Sequence, residues 1–555
     1  MVSWLLLVPL LPAVATSAGA PCAVIDVSKT QATLHDAQKL ARAAAASAPC
    51  VRVLLGGRSF RLAEEPLVLS AADAHTSWEG GEITTAVDVP SSSWRADAGA
   101  SGSSLDVTGL VDRSEWGAVS GANGIVPSSH LQLLVQTRGI WRPMRIARWP
   151  NVPFDYGLVP PVNWTTISKT CPCSGGPSGG CDATHPPSQC GVGCKAFTWA
   201  TDTDRPARWV TAAREGRLFI HGFFKYMWKD YFAPITSVDT VSRQLSTNLS
   251  IGGTYGITND SFYYAYGLAE ELDAEGEYIL NATTGELSAI LPSECVSPVG
   301  AVLCPTRLVP ASPIGSMSCC VPGNCSMAAM VRVIGSHNIS LLRMNLTGSM
   351  GVGLSVWGSS NITIDSCAIN NHLGTGVLVG SAAANFSHCS TAAPARDSYG
   401  VRLLRSDVGY TGGGASSFTG GNRTALSPSR FLIENNRLHD FGQAIYTYKP
   451  GVGVSGVGVT VRKNEFRSSY HVALLFSGND HLFELNDFHH VTTIGCLTPL
   501  NRSLHIATHV SVIRYRDLLR PSMHLFVLPL ITHTVSLKET YSSEQLRLGR
   551  YLCGP

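Results

Sequence analysis

The sequence predicts an all-β chain wound as a right-handed parallel β-helix, carrying an inserted β-rich module and preceded by an N-terminal capping helix. Three observations predict it. FLIENNRLHDFG from Phe431, VTVRKNEFRSSY from Val459 and HLFELNDFHHVT from His481 superimpose without a gap. With each start as position zero, position two is apolar (Ile433, Val461, Phe483), position five is Asn (Asn436, Asn464, Asn486) and position seven is large and apolar (Leu438, Phe466, Phe488). Second, ISLLRMNLTGSM from Ile339 and ITIDSCAINNHL from Ile362 keep the apolar places but carry Met344 and Cys367 at the Asn place, and a looser copy, VRLLRSDVGY, starts at Val401. Third, consecutive starts lie 23, 28 and 22 residues apart.

A unit this short, alternating every second residue and cornered by Gly and Asn, cannot bury its apolar side alone and must stack on copies of itself. Stacking places equivalent residues about 4.8 Å apart on neighbouring rungs. Asn side chains in register then hydrogen-bond along the stack. A leucine-rich or helical repeat is the competing assignment, but the LxxLxL pattern and a 3.6-residue period are both missing.

Taken in order, residues 1–18 have an apolar run from Trp4 to Val14 and small residues at Thr16 and Ala18, the pattern of a secretory signal, although Lys and Arg are missing before the run. Residues 22–140 hold the cap and the opening coils. In TLHDAQKLARAAAA, Leu34, Ala37, Leu40, Ala41 and Ala44 share one helical face, suited to covering the first open coil. Cys22 and Cys50 flank it at bridging positions, and VRVLLGGRSFRLAEEPLVLS alternates as strands about a Gly-Gly turn.

Residues 141–330 change character to aromatic-rich strands without a coil period, and read as the insert, with a hairpin at EYILN and TTGELSAIL. Its aromatic residues suit a core better than sugar stacking. Two Cys-dense loops decorate it, with Cys171, Cys173, Cys181, Cys190 and Cys194 in one and Cys295, Cys304, Cys319, Cys320 and Cys325 in the other. In a chain with a secretory leader such loops favour disulfides over zinc. Coils resume over 331–495. The tail, 496–555, has seven Lys or Arg against three acids, a net +4, and keeps neither the Asn corner nor the Gly-rich turns.

The overall charge of +2 argues against nucleic acid as partner, and no stretch after the leader is long and apolar enough for an integral membrane span. Eleven N-x-[ST] sequons agree with a secreted, extracellular protein bearing N-linked glycans. Asn338 and Asn361 each stand one residue before a coil start. Glycans at both would make that edge open solvent and put the working cleft elsewhere.

Several segments together resemble the secreted right-handed β-helix proteins of the pectin-lyase-like superfamily. They are GGRSFRLAEEPLVLS, RPMRIARWPN, AEELDAEGEYILNATTGEL and above all YKPGVGVSGVGVTVRKNEFRSSYHVALLFSGNDHLFELNDFHHV. The resemblance implies the fold, and implies carbohydrate-active relatives: glycoside hydrolases, polysaccharide lyases and proteins without known activity. It also implies an acidic, Gly-rich segment and further coils after FELNDFHHV. Here the chain runs into IGCLTPLNRSLHIATHV instead, so the tail reads as an alternative or mispredicted C-terminus that leaves the β-helix short.

Chemistry is sought by position, because like positions pile into columns. Position three gives Glu434, Arg462 and Glu484, facing outward. This is either a surface charge ladder or a carboxylate pair about 9.5 Å apart, near the inverting-glycosidase range. Position six gives Arg437, Glu465 and Asp487, the last two about 5 Å apart as in retaining enzymes. Asp480, in the GNDH corner, is either a turn residue or a further acid. Glu465, Asp487, Glu434, Glu484 and Asp480 are therefore the catalytic candidates. Position eight gives His439, Arg467 and His489, which with His481 are the substrate-binding candidates, or else ordinary polar rim residues. No Ser/His/Asp motif, P-loop or dinucleotide fingerprint appears; the lone GVGVSG at Gly451 lacks a following helix.

The expectation is a secreted carbohydrate-active protein, first a glycoside hydrolase using paired carboxylates on a polysaccharide or glycan. A lyase of the same fold, compatible with Ca²⁺, and a non-catalytic glycan-binding or wall protein are the alternatives. A hydrolase needs no cofactor, and no metal ligand set is visible.

Overall fold

The computed structural model describes residues 21–96, 102–116, 131–154, 163–170, 193–311 and 317–491 apart from 322, 323, 328, 381–396 and 470, together with the strands Val510–Tyr515 and Leu525–Phe526. The leader, the Cys-rich loop of residues 171–192 and most of the tail lie outside the described residues.

Each coil lays one strand on each of three parallel sheets. On the first sheet Ile339 pairs with Ile362, Ile433 with Val461 and Val461 with Phe483. On the second, Leu438 pairs with Phe466 and Phe466 with Phe488. On the third, Val331 pairs with Leu354 and Val452 with Leu474. Positions zero, two and seven point inward, as their alternation requires, and fill a core in which Ile339, Ile362, Ile433, Val461 and Leu438 are fully buried.

The corners explain the Asn column. Position four is left-handed on rung after rung: Arg343 (φ 53°), Ser366 (54°), Arg405 (46°), Asn435 (57°), Lys463 (54°) and Leu485 (55°). These residues swing the chain from the first sheet to the second at the cost of a backbone conformation most side chains avoid. The next residue offsets that cost by hydrogen bonding along the stack. Asn464 Oδ1 accepts from both the backbone N and Nδ2 of Asn436 at 2.9 Å, and Asn486 Oδ1 accepts the same pair from Asn464 at 3.0 Å. Asn436 in turn accepts from Ser406 N, and Ser406 Oγ accepts from Cys367 N. The column thus continues through the looser coils, with Cys367 as a buried free thiol.

At the N-terminal end, Leu34–Ala45 is a helix opened by a capping box between Thr33 and Asp36. It packs Leu34, Ala37 and Ala41 onto the first coils. Leu40, expected on that face, is 51% exposed. Gln38 is buried in its place because its amide finds partners, Val68 O at 2.6 Å and Asp73 at 3.2 Å. Disulfides join Cys22 to Cys50 and Cys295 to Cys304.

The insert departs earlier than residue 141. The coil strand Glu82–Thr84 is followed by Val87–Val89, Trp94–Ala96 and Ser103–Asp106, which pair with insert strands and not with coils. Two separate apolar cores fill the insert. Its hairpin is Glu277–Asn281 against Glu286–Ile290. The chain rejoins the solenoid at Ala329–Ile334, so that Asn345–Ser349 pairs directly with Glu82–Thr84 across the whole insertion. Beyond the last coil, Val510–Tyr515 runs antiparallel to His481–Val491, and Leu525–Phe526 antiparallel to Leu474–Asn479. Tail backbone therefore pairs with the final rung, where the coil repeat stops.

Candidate functional site

Two outward faces carry the acidic candidates, and they differ in character. On the first sheet Arg462 sits between Glu434 and Glu484. Its guanidinium is 3.0 Å from Glu434 and 3.7 Å from Glu484, with Lys463 3.7 Å from Glu434. The hydrogen bond from Arg462 is the main reason the Glu434 carboxyl is held below its usual range. This arrangement is a charge ladder, in which each acid is matched by a cation.

The corner residue Asp480 belongs with neither face. It is exposed and left-handed (φ 54°), in the corner column with Asn338 (53°), Asn361 (53°), Gly400 (64°), Arg430 (53°) and Gly458 (67°). That corner, just before the first sheet, is where both sequons stand. His481 is not a rim residue: it is 1% exposed, its Nε2 lies 3.1 Å from Ser477 O, and burial pulls its pKa down.

The second sheet presents positions six and eight side by side. The first file runs through Asp407, Arg437, Glu465 and Asp487, and the second through Asn370, Gly409, His439, Arg467 and His489. Glu465 and Asp487 stand on adjacent rungs, with just over a third of each side chain exposed. His489 Nε2 is 2.7 Å from Asp487 Oδ2, whereas Arg467 stays 4.0 Å from Glu465.

Deeper along the same face His439 lies between two carboxylates. Its Nδ1 is 2.7 Å from Asp440 Oδ2 and its Nε2 is 3.2 Å from Asp407 Oδ1. Burial works against charging this imidazole, but Asp407 and Asp440 outweigh it and hold its pKa above 6.5. Burial likewise raises Asp407, and the hydrogen bond and charge of His439, with Asn370 and Arg437, together more than reverse that, leaving the carboxyl low. His439 was expected at the rim; only 4% of its side chain is exposed. The ring lies over Gly409, where a Cβ would come within 2.3 Å of His439 Cε1. Tyr410 meets the same ring edge-on at 5.2 Å.

The insert walls this end. Arg307 reaches Glu82 at 2.8 Å and lies over the Trp141 ring at 4.3 Å, and Asn371 Nδ2 donates to Trp141 O at 3.1 Å. A pocket of about 210 Å³ results, bounded by Trp141, Asn370, Asp407, Tyr410, Arg437 and His439. From it the face continues open toward Glu465 and Asp487. Among the described residues no group of three or more His, Cys, Asp or Glu is arranged to hold a metal ion. Asp407 and Asp440 are both engaged by His439.

Asp407, Asp440, Tyr410 and Trp141 were not anticipated. Asp407 occupies position six of the looser Val401 coil and was within reach of the alignment. Trp141 was not, since only the fold brings the insert against the coils.

Residues 329–488 match the family described as right handed beta helix region. No curated protein matches the sequence. Among solved structures, a glycoside hydrolase superimposes with a TM-score of 0.44 at 11% identity, covering 82% of this chain and 88% of its own. The mannuronan C-5 epimerase AlgE6 A-module of Azotobacter vinelandii gives 0.23 at 15% identity, covering 29% and 43%. A pectate lyase gives 0.18 at 12% identity, covering 29% and 36%. Among the described residues no helix is long and apolar enough to cross a membrane. The three-sheet register and the family match agree: the chain is a right-handed parallel β-helix protein with an N-terminal capping helix and a large β-rich insert.

Proposed function

We propose that this chain is a secreted carbohydrate-active protein that holds a polysaccharide along the outward face of the second sheet and hydrolyses it with Glu465 and Asp487. The observation that carries the reading is the rung-to-rung pairing of these two part-exposed carboxylates. Neighbouring rungs separate them by about 5 Å, the spacing of a retaining glycoside hydrolase. Asp487 is held by His489 at 2.7 Å, a contact that fixes its carboxylate on the open face and suits it to act as nucleophile. Glu465 has the looser cation contact and is assigned as general acid, then base. The walled pocket beyond them, with Trp141 and polar Asn370 on its boundary, suits a sugar ring. Glu434 and Glu484 are assigned no catalytic role, because Arg462 neutralises both.

The test is incubation of the purified protein with a panel of plant and algal polysaccharides. New reducing ends without ultraviolet-absorbing products are expected, with loss of at least about a hundredfold in Glu465→Gln and Asp487→Asn. Unsaturated products would make it a lyase, and binding without cleavage a glycan-binding protein; either result refutes the hydrolase.

A further inference from the structure

A second cavity, of about 150 Å³, lies between the insert and the coil corners that follow the second sheet. A space of that size accommodates a six-membered ring. Its wall includes Arg145, Arg148, Tyr264, Tyr266, Tyr410 and Tyr446, with no Asp or Glu. Tyr410 borders the first pocket as well, so the two spaces share a wall residue.

Two features of this wall point to a ligand. Arg148 is 6% exposed and lies over the Tyr264 ring at 3.5 Å; its guanidinium donates to two neutral carbonyls, Pro150 O at 2.9 Å and Asn163 O at 2.8 Å. A buried guanidinium normally faces a carboxylate. The neighbouring acid, Glu277, uses one oxygen to accept from the Arg148 backbone N, and burial pushes its pKa up to about 7. Independently, Tyr266 Oη is buried on the wall without a hydrogen-bond partner, and so is Gln132 Oε1. Buried polar atoms of native proteins are satisfied as a rule, and two on one cavity wall ask for a polar guest.

We infer that this cavity binds an anionic hexose, carboxylated or sulfated, as the terminal unit of the glycan held on the second sheet. Its negative group meets Arg148, its hydroxyls meet Tyr266 and Gln132, and its ring lies against the tyrosines. The inference rests on the reading of the second-sheet face as a glycan groove, and gives that groove a closed end and a charge preference.

Calorimetric titration of the full chain with galacturonate, galactose 6-sulfate and galactose tests it. At least one anionic sugar is expected to bind about tenfold or more tighter than galactose, and the stronger of the two names the source of the charge. Arg148→Gln is expected to abolish that preference. Tyr266→Phe, which keeps the ring and removes the orphan hydroxyl, is expected to weaken anionic-sugar binding about tenfold. Equal affinity for galactose, no affinity for either anionic sugar, or an unchanged affinity in Tyr266→Phe overturns the inference, and the last holds even if Arg148→Gln fails to fold. Polymer cleavage is scored separately. Sugar binding without cleavage keeps the pocket and removes the hydrolase, while cleavage of a neutral polymer without anionic-sugar binding does the reverse.

Discussion

Asn464 shows how a single repeated residue is selected. Its carbonyl oxygen takes two hydrogen bonds from Asn436, and its Nδ2 donates to Ile433 O and Arg462 O at 2.9 Å. Asn464→Ala leaves buried donors and acceptors unpaired on two rungs. It is expected to cost about 3 kcal/mol, read as a lowered midpoint in denaturant unfolding. An effect within 0.5 kcal/mol of zero, about the size expected of a neutral surface substitution, would mean the column is decorative. Gly409 acts in the same way on the site. Gly409→Ala places a Cβ in the space of the His439 ring. The ring must leave its two carboxylates, so polysaccharide affinity is expected to fall while the overpacking costs about 1–3 kcal/mol. An unshifted His439 resonance in the variant would contradict this. Asn464 was legible from its column; Gly409 was not, because only the folded chain brings the His439 ring over it.

Single elements tell a similar story. The helix Leu34–Ala45 was legible from its apolar spacing, but its buried face includes Gln38 in preference to Leu40, since the amide meets Val68 O and Asp73 there. Helical periodicity alone could not weigh a tertiary hydrogen bond. Cys22–Cys50 ties the first strand to the second around this helix. Opening it by Cys22→Ser with Cys50→Ser is expected to cost about 3 kcal/mol, measured as a lower Tm together with faster amide exchange in the helix. Loss of Tm without local exchange would place the stabilising effect elsewhere. The coil strands were the most legible part, because their inward apolar positions recur on every rung and the left-handed corner is followed by an inward polar residue at Ser406, Asn436, Asn464 and Asn486. The start of the insert was missed. Val87–Val89 and Trp94–Ala96 alternate like coil strands, and only their antiparallel partners separate them from the solenoid.

For the molecule as a whole, buried histidines set the response to acid. His372 and His471 are pushed down from 6.5 to about 4 by burial, and His221 is lowered as well, burial outweighing Asp230. A histidine with a depressed folded pKa contributes its full stability above 6.5 and loses it as pH falls toward its folded value. His372 alone accounts for about 3 kcal/mol lost between pH 6.5 and 4. His439 has the opposite sign: raised, it stabilises below 6.5 and loses that contribution as pH rises through its folded pKa. Glu277 and Glu271, raised by burial, act in the same sense as His439 and gain stability as pH falls from 7 to 4.5. The lowered His221, His372, His471 and His481 outnumber these three, so Tm is expected to fall from pH 7 to pH 4.5, and His372→Gln is expected to flatten the slope. A constant Tm over that interval would contradict the assignment. The architecture was legible from three aligned segments because a solenoid repeats its constraints on every rung. The proposed working face was only half legible. Position six named Glu465 and Asp487, yet the sequence could not distinguish them from Glu434 and Glu484, since side-chain pairing across rungs and the arrival of Trp141 from the insert exist only in the folded chain.

The central claim is that the second sheet, and not the first, is the working face. It is tested most directly by comparing cleavage of the best polysaccharide by two double variants of matched charge, Glu465→Gln with Asp487→Asn, and Glu434→Gln with Glu484→Gln. The first pair is expected to abolish cleavage with Tm unchanged, and the second to leave the rate within about twofold while losing at most about 1 kcal/mol of stability from the exposed ladder. Full activity in the first pair and loss in the second would contradict the account.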